Sequence, residues 1–267
     1  MPFDPKAKIS ASRERRKDLQ IVTDVNFERE LEVFRQESEG AAQFFYAYLA
    51  IHAAAADYPD VLDLLNRAPM FWTTCAGSLQ TASIIALTRI FETNTPHNLG
   101  VLIRIVRENP AIFSREALRR RKQGTYLHPP EWLDKFLRDA YEPKMKDFRH
   151  IYARVRKCRK IYERNYEQLR HHKGVSESTE AAALFAKTNT RELERLFAFL
   201  GSLHGALWQA YFNGRKPVLR PSRYSVRRMR DFPSPERVSV QEHMTREATR
   251  VLVSASNAKN NKNKPKR

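Results

Sequence analysis

Residues 70–92, MFWTTCAGSLQTASIIALTRIFE, run for about six helical turns without a proline and are apolar on nearly every side. Strands are shorter than this, and a surface helix would keep one polar face. The stretch therefore reads as a helix buried against several neighbours, at the centre of the core. Pro69 suits its first turn, where a missing amide costs little. The polar run TNTPHN, residues 93–98, ends it.

Working outward, the same periodicity recurs and hairpin signals do not. Eight glycines and fourteen prolines fall mostly between periodic segments, which predicts an all-α fold. Thr23 or Asp24 is placed to cap a helix that carries Phe27, Leu31 and Phe34, continues through Gly40 to about Tyr58, and stops at Pro59. VLDLLNR reads as a short turn. Beyond the buried helix, helical stretches are expected at 99–108 and 114–122, followed by a loop at GTYLHPP and a helix at EWLDKFLRDAYE. Pro143 separates or kinks the next helix, 144–173. VSESTE is a polar linker. Thr190 with Glu194 suggests a capped start to RELERLFAFLGSLHGALWQAYF, which ends at Asn213 and Gly214.

The expected organisation is a charged N-terminal segment (1–22), a helical domain (23–214), a basic arm with a short helix at 241–253, and a disordered basic tail (254–267). Residues 215–230 hold seven Lys and Arg and no acid, and two prolines interrupt them, so an extended arm is expected there.

The chain of 267 residues is long enough for a substantial core, and its net charge of +18 makes nucleic acid the leading partner class. No run of eighteen apolar residues and no signal-peptide segment is seen, which leads us to expect a cytoplasmic protein without membrane contact. Cys75 and Cys158 sit among apolar neighbours and read as reduced core thiols. The dispersed histidines give no zinc spacing, and no phosphate loop or dinucleotide fingerprint occurs, so neither metal nor cofactor is expected. Glu28, Glu30, Glu32, Glu37 and Glu39 read as carboxylates on a solvated helix face.

The chemistry points to residues 162–174, YERNYEQLRHHKG. In this helix Phe148, Ile151, Tyr152, Val155, Tyr162, Tyr166 and Leu169 form a buried stripe. At 100° per residue, Arg164 and His171 lie within about 20° of each other, nearly opposite it and about 10.5 Å apart along the axis. Lys157 shares their side, Asn165 and His172 point to a flank, and Glu167 can reach either Arg164 or His171. A symmetric homodimer would bring two copies of this face around one groove. Helix capping gives a second account of the same residues. Gly174 is a good C-cap, and His171, His172 and Lys173 are cations that a last turn favours.

Arg164, Asn165 and His171 resemble the R-x(4 to 6)-H motif of the HEPN superfamily. The apolar helix ending in LTRIFE, followed by its polar turn, is similar to the segment that precedes the motif in the abortive-infection AbiU-like branch. SLHGALWQAYFNG resembles that branch's closing helix, so the likeness covers roughly residues 24–215. Six residues separate Arg164 from His171, the long end of the family's range. Arg170 stands where a small residue is usual.

The resemblance implies a HEPN-like bundle of long antiparallel helices and a metal-independent endoribonuclease, in phage defence or a toxin-antitoxin system. It implies Arg164, Asn165 and His171 as catalytic residues, with His172 as the alternative histidine. Arg154, Lys157, Arg159, Arg170 and Lys173 would hold RNA, and an antitoxin or regulatory protein is a further expected partner. Charge alone supports the alternative, a non-catalytic helical module that binds nucleic acid or protein.

Overall fold

Apolar residues three and four apart are enough to build helices, and every element of the computed structural model is helical, with no strand among the described residues. The structure describes residues 5–124, 128–172, 190–222, 224–232 and 239–260. Its side chains are described within 24–124, 128–164, 190–222, 224–232 and 239–257. The elements are α1 (Pro5–Asp57), α2 (Pro59–Asn66), α3 (Pro69–Phe91), α4 (Leu99–Glu108), a 3-10 turn (Pro110–Phe113), α5 (Arg115–Gln123), α6 (Glu131–Asp139), α7 (Met145–His172), α8 (Thr190–Asn213), α9 (Val226–Asp231) and α10 (Val240–Asn260). The expected VSESTE linker lies outside the described residues.

Three boundaries differ from the patterning. Helix α1 begins at Pro5, so neither Thr23 nor Asp24 caps it. VLDLLNR is not a turn, because Pro59 starts a helix with Asp60 in its first turn, where a carboxylate is favoured. Helix α10 continues past Val253 to Asn260, into what the composition marks as tail.

The chain forms two compact units, and α1, α7 and α8 contribute a segment to each. The first comprises Met1–Arg35, Phe91–Lys157 and Gly201–Arg220. Its core stacks rings from four elements: Phe27 against Phe113 at 5.5 Å, Phe113 against Phe148 at 5.1 Å, and Phe27 against Tyr211 at 4.7 Å. Beside them Arg121, with only 11% of its side chain exposed, pairs with Asp24 at 3.3 Å. Its guanidinium lies 3.7 Å over the Tyr211 ring and donates to the Tyr211 carbonyl at 2.9 Å, while the Tyr211 hydroxyl donates to Glu28. Glu30 is 5% exposed and bonded to His97 at 2.9 Å, so it departs from the expected solvated face, whereas Glu28 is exposed although it accepts from Tyr211.

Gly214 closes α8 at φ 55°, a left-handed position. A Cβ there would meet Leu118 Cδ2 at 2.6 Å and Ala140 Cβ at 2.8 Å. Its carbonyl accepts from the Tyr141 amide, tying the helix end to the residue that follows Ala140.

The second unit comprises Gln36–Ile90, Cys158–Leu200 and Pro221–Arg267. Phe45 stacks on Phe197 at 4.8 Å, and Ile51, Ala54, Val61 and Leu252 form a separate cluster joining α1, α2 and α10. Helix α3 is buried only toward its end. Ile84, Leu87 and Ile90 are covered, but Met70 is 83% exposed and Phe71 58%, so the expectation of a helix buried along its length fails for its first turns. Cys158 is buried and Cys75 half-buried, and no disulfide joins them.

After the non-helical stretch from Gly214, α9 ties the basic arm down. Arg227 and Arg230 both clamp Asp57, at 2.6 Å and 2.7 Å, and Arg230 also pairs with Asp231.

Gly214→Ala combines a strained backbone with a clash, and should lower unfolding free energy by about 2 kcal/mol, read as a lower urea midpoint at unchanged slope. The bonds from Arg230 and Arg227 depress the Asp57 pKa below its ordinary 3.8. The clamp is therefore intact above that value and lost as pH falls through the lower folded pKa. Amide exchange in α9 should accelerate in acid, whereas Asp57→Asn should already exchange fast at neutral pH.

Candidate active site

Helix α7 starts because Asp147 reaches back, accepting from the Lys144 amide at 2.8 Å as in a capping box, and from the Tyr141 hydroxyl at 2.8 Å. Those contacts hold its carboxyl below the usual range. Phe148, Ile151, Cys158 and Tyr162 are buried, which establishes the stripe up to Tyr162, while Tyr152 and Val155 are half-buried. The Tyr162 hydroxyl donates to Thr88 on α3 at 3.1 Å and fixes the rotation of α7 just before the motif. Tyr166 and Leu169 lie outside the described side chains.

Arg164, two residues on, is 57% exposed, and its Nη1 lies 3.5 Å from Glu192 Oε1. Glu192 is 22% exposed and sits in the first turn of α8, where the helix dipole favours a carboxylate. The contact uses one nitrogen of the guanidinium at the long end of ion-pair range, not a two-pronged clasp. Arg191 and Arg195 flank Glu192 and are exposed.

Helix α7 continues unbroken to His172. The backbone therefore puts Arg164 and His171 at positions about 20° apart around one axis and about 10.5 Å apart along it. Asn165, Arg170, His171 and His172 belong to this helix, but their side chains lie outside those described, and Lys173 lies outside the described residues. Lys157 is exposed, and Arg154 and Arg159 are half-buried.

Sequence reasoning missed Glu192. Its one signal was an acid in the first turn of a predicted helix. That pattern was credited instead to Glu194, which is half-buried with its carboxyl pushed up by desolvation.

A family model described as AbiU2, HEPN_AbiU2, matches residues 24–232. The chain belongs to the AbiU2 family of the HEPN superfamily. No curated protein and no solved structure matches it. The AbiU2 match extends past the expected limit near residue 215 and includes α9, with both arginines that clamp Asp57. No described helix is long and apolar enough to cross a membrane.

A loose, exposed ion pair contributes little to folding. Arg164→Ala and Glu192→Ala should each lower stability by less than about 1 kcal/mol, with a coupling of about 0.5 kcal/mol or less in a double-mutant cycle followed by urea denaturation. A larger coupling would make the pair structural.

Proposed function

We propose that this AbiU2-family chain is a metal-independent endoribonuclease of HEPN type, acting in phage defence by abortive infection or as the toxin of a toxin-antitoxin system. One observation carries the reading within that family: an exposed guanidinium, met among the described side chains by Glu192 at 3.5 Å, on the helix that bears His171 seven residues later.

The reaction is attack of a ribose 2′-hydroxyl on the adjacent phosphorus. The 2′-O–P bond forms and the P–O5′ bond breaks, leaving a cyclic phosphate and a 5′-hydroxyl. His171 takes the 2′-hydroxyl proton as base, and an imidazolium supplies the proton to the departing oxygen. An imidazole titrating near neutrality suits both tasks. In a two-fold homodimer the two roles fall to the His171 of each copy. Arg164 binds the phosphate and stabilises charge developing on its oxygens, and Asn165 orients the substrate or the guanidinium. Glu192 is exchanged for the phosphate. A pair this exposed is worth about 0–1 kcal/mol, so a bidentate phosphate contact outweighs it.

Arg154, Lys157, Arg159, Arg170 and Lys173 hold the RNA backbone without regard to sequence. An antitoxin or regulatory protein would restrain the activity in the resting cell.

The purified chain should cut labelled RNA in EDTA and leave cyclic phosphate ends. Arg164→Ala and His171→Ala should each reduce the rate about 100-fold or more, at matched folding. Loss on His172→Ala but not His171→Ala would move the role to the neighbour. Cleavage retained by both first variants would remove the assignment. Salt-sensitive RNA binding without cleavage under any condition would make the chain a binding module.

A further inference from the structure

The second unit contains a half-open pocket of about 410 Å³ at the start of α3, made entirely by α1, α2 and α3. This is within the roughly 300–1,000 Å³ range of small-molecule sites. Small residues, Ala55, Ala76 and Gly77, line it together with Leu62, Leu65 and Trp72. A Cβ added to Gly77 meets nothing within 4 Å, so packing does not require glycine there, and the space above it is open.

Two features limit what can enter. Among the described residues no charged side chain lines the pocket, although the chain carries a net charge of +18. A phosphate, carboxylate or ammonium group would therefore lose its water without gaining a counter-charge. The polar groups present are neutral and bifunctional. Gln80 is buried and its amide, which carries both donor and acceptor, lies near the Tyr48 hydroxyl at the pocket wall. His52 is exposed but packs edge-on against Tyr48 at 4.5 Å, and this partial burial lowers its pKa below the ordinary 6.5. Near neutral pH its imidazole offers one donor and one acceptor nitrogen. Trp72 supplies the large aromatic surface.

A flat, uncharged ring with hydrogen-bonding edges satisfies all of these walls at once. We propose that this pocket binds a nucleobase, which packs against Trp72 and is read along its edge by Gln80 and His52. The base can come from a free nucleoside or from an unstacked position in an RNA strand, and the site functions as a binding site whether or not Arg164 and His171 cut RNA.

The test uses the full chain with adenosine, guanosine, cytidine and uridine, and with a 2′-O-methyl oligonucleotide, which has no hydroxyl to attack and is not cleaved. Binding is read by calorimetry and by Trp72 fluorescence, with Trp72→Phe identifying the signal. At least one nucleoside should bind saturably and quench Trp72. Gly77→Leu fills the pocket from a position with open space above it, and should weaken that binding about tenfold or more without lowering the urea midpoint. Trp72→Leu should weaken it similarly.

If the natural source is RNA, the oligonucleotide binds at least tenfold more tightly than the nucleoside and loses affinity in Gly77→Leu. If the source is a free nucleoside, the oligonucleotide shows no such advantage. Absence of binding by every nucleoside and the oligonucleotide, or binding that Gly77→Leu leaves intact, would overturn the proposal. Equal binding of phenol, a flat ring without a base edge, would overturn the assignment to a nucleobase.

Discussion

A guanidinium cannot be deprotonated to escape an apolar core, so a buried arginine persists only where the surrounding groups replace its water. Arg121 is such a case at its two Nη atoms, although its buried Nε has no hydrogen-bond partner among the described residues, and the first unit is arranged around it. Helix α5 delivers it, α1 supplies Asp24, and α8 supplies both the Tyr211 ring beneath it and the Tyr211 carbonyl beside it. Burial pushes the Asp24 carboxyl upward while Arg121 and Arg120 pull it back, and burial likewise raises the Tyr211 phenol. Neither charge is comfortable without the other. The aromatic chain of Phe27, Phe113 and Phe148 packs against this cluster, and Gly214 then lets the chain leave α8 next to Ala140.

The same accounting changes what the overall charge means. Arg89 pairs with Glu37, Arg119 with Asp134, and Arg227 and Arg230 with Asp57, so these cations have partners within the protein. Steering toward a polyanion depends on the net field. Gripping one phosphate depends on which guanidinium can release its present partner. Arg164, exposed and touched by Glu192 at one nitrogen, is suited to the second task, whereas Arg121 is not.

The helices were legible because their apolar spacing is local: α4 was read to the residue and α8 to its closing glycine. The exposure of Met70 and Phe71 was not, since a run of apolar residues shows that burial is desirable but not which turns obtain a neighbour. Long-range polar pairs were also hidden. Glu30 finds His97 and Glu28 finds Tyr211, 67 and 183 residues away, and no local pattern marks either carboxylate. The positions of Arg164 and His171 on one helix followed from arithmetic on the sequence. Glu192 did not, because it comes from another helix and no local pattern links an acid there to Arg164.

The contact between Arg164 and Glu192 also has a consequence for selectivity. In the proposed reaction Glu192 offsets part of the Arg164 charge at rest, so an arriving phosphate exchanges one anion for another there. Affinity at that point depends on shape: a phosphate that meets both prongs of the guanidinium displaces a carboxylate that meets one. Added salt screens the outgoing and incoming partners together. In the proposed reaction, ionic strength would then govern how strands are collected over the surface far more than how a phosphate is seated once it arrives.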